Sequence, residues 1–207
     1  MTALRLARRG VHALSEQPRA FDALRWVLMA GYRSHKEALR REGITEAASI
    51  LDLGCGTGAM AGFFRPEGYV GVDINPRYIS RARSKKGRYR FEVADGRSLP
   101  FADASFDAVL IGGVIHHLDD VSARSVLEES RRVLVPGKGI LVMCEAVPTR
   151  SRWNSIGRLV VALDEGDFIS PPERYLELAR EVFGQRVVRH YPISAGVGDG
   201  VVIVAHN

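Results

Sequence analysis

A chain of 207 residues with 46% hydrophobic and 26% charged side chains suits one soluble globular domain with a short extension. Its only cysteines, Cys55 and Cys144, are far apart, which argues against a zinc cluster or a disulfide scaffold and for a reducing cytoplasm. No apolar run reaches about 18 residues, so no transmembrane helix is expected, and the N-terminus lacks the pattern of a signal peptide. The net charge of +5 resides wholly in residues 1–44, which hold nine Lys or Arg against four Asp or Glu. That segment reads either as a solvated helix face or as a contact for an anionic partner.

Residues 19–42 carry Phe21, Leu24, Trp26, Val27, Leu28 and Leu39 at helical spacing, and Gly43 stops the helix. Strand and helix signals then alternate. Residues 49–53 form a short apolar strand ending in glycines, and 57–64 read as a helix. Residues 69–73 are a second strand. A helix opens at Pro76 with Asn75 as N-cap. Strands follow at 88–93 and 106–111, a helix at 122–133, a turn at 136–139 and a strand at 140–144. Residues 151–163 read as a helix. Ser170, Pro171 and Glu173 form a capping box for another that runs to about Phe183. Strands at 186–193 and 201–205, joined by a glycine-rich stretch, make an antiparallel hairpin. Strands separated by helices predict an α/β fold with a mostly parallel sheet, helices on both faces and right-handed crossovers.

Chemistry concentrates at three strand ends. Asp52-Leu53-Gly54-Cys55-Gly56-Thr57-Gly58 follows the first strand, and its glycines let the backbone turn sharply and approach a ligand. Asp73 ends the second strand, 19 residues after Gly54, where a carboxylate can accept bonds from both ribose hydroxyls. Asp95 and Gly96 follow the third, where a carboxylate can accept from the exocyclic amine of a purine. Any one alone is weak; three at neighbouring strand ends form a nucleoside site. The glycine spacing is G-x-G-x-G with an acid two places earlier. This departs from the G-x-G-x-x-G dinucleotide fingerprint, and the acid opposes a pyrophosphate while suiting an amino group.

The runs ILDLGCGTG, GVDINP, VADGRSLPF, FDAVLIGGVIHHL and RVLVPGKGILVM, in this order, resemble class I S-adenosylmethionine-dependent methyltransferases of the small-molecule type. The resemblance implies a Rossmann-like sheet of seven strands with the last one reversed. It implies that Asp52, Gly54, Cys55, Gly56 and Gly58 hold the methionine end of S-adenosylmethionine. Asp73 would hold the ribose, Ile74 would pack on adenine, and Asp95 and Gly96 would meet the adenine amine. Gly112, in the loop 111–114, would border the sulfonium. On this reading residues 45–207 are the methyltransferase domain, residues 1–44 a basic helical extension or lid, and residues 146–183 the acceptor-binding segment. That segment holds Trp153, Arg158, Asp164, Glu165, Phe168, Arg174 and Tyr175 as candidates for the pocket, or as plain packing.

Methyl transfer from a sulfonium needs a general base only where the acceptor sheds a proton. His117 and His116 are the candidates, His117 ahead, and a metal is not expected at Asp119 and Asp120. A small-molecule oxygen or nitrogen acceptor is the leading expectation. No Asn-Pro-Pro-Tyr element, Pro-Cys nucleophile or aromatic-rich basic surface motif points to nucleic acid. The alternatives are a nucleic-acid or lipid-linked acceptor drawn in by the basic segment, and a non-catalytic binding module.

Overall fold

The computed structural model describes residues 32–149, 151, 153–163, 168–195 and 198–207. Seven strands form one sheet: β1 (Ile50–Leu53), β2 (Tyr69–Asp73), β3 (Arg90–Val93), β4 (Ala108–Gly112), β5 (Ile140–Val147), β6 (Val187–Ala195) and β7 (Gly198–His206). Their spatial order is β3-β2-β1-β4-β5-β7-β6. Strands β1 to β5 pair in parallel, while β7 runs antiparallel to both β5 and β6. The sheet is therefore Rossmann-like with a reversed last strand, as the sequence predicts. The order switches direction at β1, the place where open sheets of this kind bind their ligands.

Alternation along the strands divides the core between two faces. Leu51 and Leu53 of β1, Val109 and Ile111 of β4 and Leu141 and Met143 of β5 pack with α3 (Asp120–Val133) and α5 (Pro172–Phe183). Ile50, Leu110, Val142 and Cys144 face the other way, toward α1 (Arg33–Arg41) and α2 (Pro76–Lys85). A fifth helix, α4 (Ser155–Leu163), follows β5. No described helix is long and apolar enough to cross a membrane.

Capping explains where the helices begin. Asn75 Oδ1 accepts from the Arg77 N–H at 3.0 Å, and Pro76 occupies the first turn of α2, where its missing N–H costs nothing. Asp119 Oδ1 accepts from the Ser122 N–H at 2.8 Å and starts α3. The expected Ser170 capping box does not form. Pro171 is the N-cap of α5, and Ser170 turns aside to donate its hydroxyl to the Phe168 carbonyl. Two consecutive prolines favour the later start, because the second one suits the first helical position.

The helix expected at 57–64 is absent as well. One 3-10 turn, Ala61–Phe63, stands there. Gly56 and Gly58 take positive φ, Pro66 follows closely, and the chain re-enters the sheet at Tyr69. Too few residues remain for a stable α-helix between them. For residues 19–42, only the end of the expected helix, α1, lies within the described residues; Trp26 and its apolar neighbours lie outside them.

A charged clamp fixes the approach to β4. Glu129 on α3 accepts from the Leu99 N–H at 2.7 Å, while Arg132 donates to Glu129, to Asp103 and to the Leu99 and Phe101 carbonyls. The Arg132 hydrogen bond holds the Glu129 carboxyl below its usual range. The ionised form thus favours the folded state. Its contribution is complete above about pH 4.3 and fades as pH falls through the lower folded value. Glu129→Gln should cost about 1.5 kcal/mol in urea unfolding at pH 7. The same comparison at pH 3 should show the difference narrowing.

Candidate active site

The loop after β1 folds back over its neighbour. The Gly54 and Cys55 N–H groups both donate to the Val72 carbonyl, at 2.8 and 2.9 Å. Gly54, Gly56 and Gly58 have φ of 75°, 55° and 74°, in the left-handed region that glycine enters without penalty. Close approach adds a second requirement: a Cβ on Gly54 would lie 2.2 Å from Val114 Cγ2, in the loop after β4. The two loops at the switch point are thus packed backbone against side chain.

Asp73, at the tip of β2, ties this loop to the start of α2. Its Oδ2 accepts from the Gly56 N–H at 2.9 Å and its Oδ1 from the Asn75 N–H at 2.8 Å. The two bonds orient the carboxylate at the strand tip. Next to it stand two apolar side chains that a globular protein would ordinarily cover, Ile74 at 65% exposure and Val93 at 50%. Asp95 follows β3 and receives both ends of the Arg97 guanidinium as well as the Arg97 N–H. The Arg97 side chain holds its carboxyl below the usual range. Gly96 lies against Leu53.

Asp52 is 1% exposed, and its Oδ2 accepts the Tyr69 hydroxyl at 2.6 Å. Burial, then the neighbouring Asp52, pushes the Tyr69 phenol well up, so it remains a donor. The structure thus sets Asp52 beneath the glycine loop. Burial likewise pushes the Cys55 thiol far above its usual value, which leaves Cys55 to act through its backbone. At Gly112 a Cβ would meet Met60 Cε at 2.6 Å, the mobile end of a flexible side chain.

The two histidines separate clearly. His117 is exposed, whereas His116 is buried, and their ring centroids are 4.2 Å apart. His116 Nδ1 lies 2.6 Å from Oε2 of Glu145 on β5. Glu145 also accepts from the N–H groups of Val114 and Ile115. Sequence reasoning gave Glu145 no role. The one signal was its charge inside the otherwise apolar run of β5, where an unpartnered carboxylate would be costly.

Other candidates are engaged elsewhere. Asp119 caps α3, and Asp120 pairs with Arg174, which also binds Glu177. Tyr175 is buried and donates its hydroxyl to the Ala146 carbonyl. Trp153 is 82% exposed and Phe168 47%, and the Phe168 N–H donates to the His116 carbonyl at 3.1 Å. Arg158 reaches the Ser155 hydroxyl. Asp164 and Glu165 lie outside the described residues. Among the described residues no group of three or more His, Cys, Asp or Glu is arranged to hold a metal ion.

Residues 50–137 match the family model described as a methyltransferase domain. The chain is 34% identical over 133 residues to the demethylmenaquinone methyltransferase of Tropheryma whipplei, an alignment that covers 61% of this chain and 54% of that protein. The chain thus spans about half the length of the curated relatives first matched. It is 29% identical over 209 residues to the ubiquinone/menaquinone biosynthesis C-methyltransferase UbiE of Geobacter sp., covering 86% of this chain and 88% of that one. In fold it is similar to the N-methyltransferase NodS of Bradyrhizobium japonicum, solved with S-adenosyl-L-homocysteine. The TM-score is 0.71 at 20% identity, over 95% of this chain and 97% of that one.

Proposed function

We propose that this chain is a class I S-adenosylmethionine-dependent methyltransferase and that it transfers a methyl group to a small-molecule acceptor. The observation that carries this reading is Asp73, a carboxylate oriented by two backbone N–H groups beside exposed Ile74 and Val93. That set suits a ribose with a flat purine lying on apolar side chains. On this reading Asp73 holds the ribose hydroxyls, Ile74 and Val93 flank the adenine, and Asp95 with Gly96 meets its amine. The Gly54–Gly58 loop, with the Cys55 backbone and Gly112, encloses the amino-acid end. Asp52 supports that loop from below through its bond with Tyr69.

S-adenosylmethionine supplies a methyl group on a cationic sulfur, already activated for displacement. The residues therefore need to position, exclude water and, for some acceptors, take a proton. Residues 146–183 serve as the acceptor side, a reading supported by Phe168 bonding to the loop after β4. An oxygen or nitrogen acceptor is favoured. The quinone-pathway names of two relatives add a third class, a ring carbon activated by a hydroxyl group. Residues 1–44 are read as a basic extension to this domain. Buried free thiols at Cys55 and Cys144 suit a reducing compartment such as the cytoplasm.

Calorimetric titration tests the cofactor half of the reading. S-adenosylhomocysteine should bind with one site per chain, and NADH should not. Heat from NADH alone would refute it. Transfer of tritiated methyl onto a panel of phenols, dihydroxynaphthalenes and amines tests the acceptor half.

A further inference from the structure

We propose that the outer side of α2, continued into the turn before β3, is a binding strip for the phosphate backbone of a nucleic-acid strand. Residues 76–91 hold seven Lys or Arg and no Asp or Glu. Residues 45–207 are neutral as a whole, so the acids that balance this run lie elsewhere in the domain. The flanking acids in the chain are Asp73, which is turned to the glycine loop, and Glu92, which pairs with Arg90. Residues 1–31 hold five Lys or Arg against two acids, so that segment adds to the basic excess rather than offsetting it.

Folding turns the excess outward. Ile79 and Ala82 are fully buried and fix the inner side of α2. Arg77, Arg81 and Lys85 recur at every fourth position away from them, about 6 Å apart along the axis, with Ser80 and Ser84 between. Arg77, Arg83, Lys85, Arg88 and Arg90 are exposed. Arg83 donates to the Phe91 carbonyl, a neutral partner that leaves its charge in place. Beside the strip, Lys86 Nζ would stand 3.3 Å from a Cβ at Gly62, and Lys36 of α1 lies over the Phe63 ring, 5.4 Å from its centroid. The strip therefore runs from the Asn75 cap, next to Asp73, past the turn Ala61–Phe63 to the start of β3.

The character of the face selects the partner. A helix that lies on a membrane needs exposed apolar side chains beside its basic ones, and here Ile79 and Ala82 are spent on the core. A stable protein partner needs an apolar centre to the interface, which a row of Arg, Lys and Ser does not offer. Phosphate oxygens need neither. Guanidinium groups bind them with paired N–H donors, and a row of such groups follows a backbone without reading its bases. Tyr89, the ring in the turn, is buried beneath Arg88 and so does not serve as a stacking platform. Binding should accordingly depend on charge and be indifferent to base sequence. The strip is independent of the methyl-transfer reading and holds its partner with or without a cofactor.

Fluorescence anisotropy with a labelled oligouridine of about 20 nucleotides tests the strip. Log affinity should fall linearly with log salt, with a slope of about −2 or steeper for three or more phosphates at about −0.7 each. Arg77→Ser combined with Arg88→Ser should take about 1.4 off the magnitude of that slope. Ser80→Glu removes no positive charge but sets an acid in the row, and should weaken binding about fivefold at low salt. Oligocytidine and oligothymidylate should bind within about threefold of oligouridine. Thermal unfolding and S-adenosylhomocysteine affinity should stay native in both variants, since none of these side chains belongs to the proposed cofactor site. The two variants are independent, so misfolding of one leaves the other to decide. A slope near zero, or native binding in the variants, would overturn the inference. So would a larger loss on replacing Arg5, Arg8 and Arg9 by serine than on replacing Arg77 and Arg88. Competition by polyglutamate, or by phosphatidylcholine vesicles with about one third phosphatidylserine, as strong as that by unlabelled oligouridine would assign the strip to an acidic protein or a lipid surface instead.

Discussion

Asp73→Ala should weaken S-adenosylhomocysteine binding by roughly 10- to 150-fold, the equivalent of about 1.5–3 kcal/mol for a lost charged hydrogen-bond acceptor. Two effects act in the same direction. On the proposed reading the ribose hydroxyls lose their carboxylate, and the Gly56 and Asn75 N–H groups lose the oxygens that fix the glycine loop and the start of α2. Stability should change less than affinity. Asp73 is only partly buried, so water can take over both N–H groups, and the β2 pairing to β1 and β3 is made by backbone. Asp73→Asn is the informative intermediate. It keeps one accepting oxygen, but its amide nitrogen must face one of the two N–H donors, so affinity should fall between the native protein and alanine. Calorimetry checks the affinities and thermal unfolding checks the fold. Equal affinity in native and alanine proteins would remove Asp73 from the site.

The parts of the fold legible in the sequence are those whose signals are local and repeated. The strand at 69–73 appears with the expected bounds, because Tyr69, Val70 and Val72 bury together and Asp73 ends the run at the surface. The hairpin at the end was legible from the short glycine-rich link, which cannot span a parallel crossover. The helix at 57–64 was misread because local helical spacing competes there with geometry set elsewhere: glycines at positive φ and an early return to the sheet. Ser170 was misread because adjacent prolines reset the helix start by one residue. The placement of the acids and glycines at strand ends was legible because their residue types are unusual at those places. The Glu145–His116 pair was not, since its members are 29 residues apart in the chain and meet only through the pairing of β4 with β5. The sequence reading put His117 ahead of His116, and what sets the two apart in the structure, burial and a carboxylate partner at His116, is not visible in their spacing.

Gly54→Ala should destabilise the protein by about 2–5 kcal/mol, more than a glycine-to-alanine change at an unconstrained turn. One part is backbone strain, about 1–2 kcal/mol for a side chain held in the left-handed region at φ 75°. The other is overpacking, typically about 1–3 kcal/mol. The new Cβ would meet Val114 Cγ2 at 2.2 Å, and Val114 cannot retreat freely because its N–H is bonded to Glu145. Gly137 isolates the first part. It has the same φ, 75°, with nothing within 4 Å of an added Cβ. Gly137→Ala should therefore cost only the strain. Adding Val114→Ala to Gly54→Ala should relieve the contact and leave the strain, so the double variant should recover the overpacking part, a non-additivity that a double-mutant cycle in urea resolves. If Gly54→Ala costs no more than Gly137→Ala, the loops after β1 and β4 do not press on one another. The coupling of the glycine loop to the His116 turn through Val114 would then be lost as well.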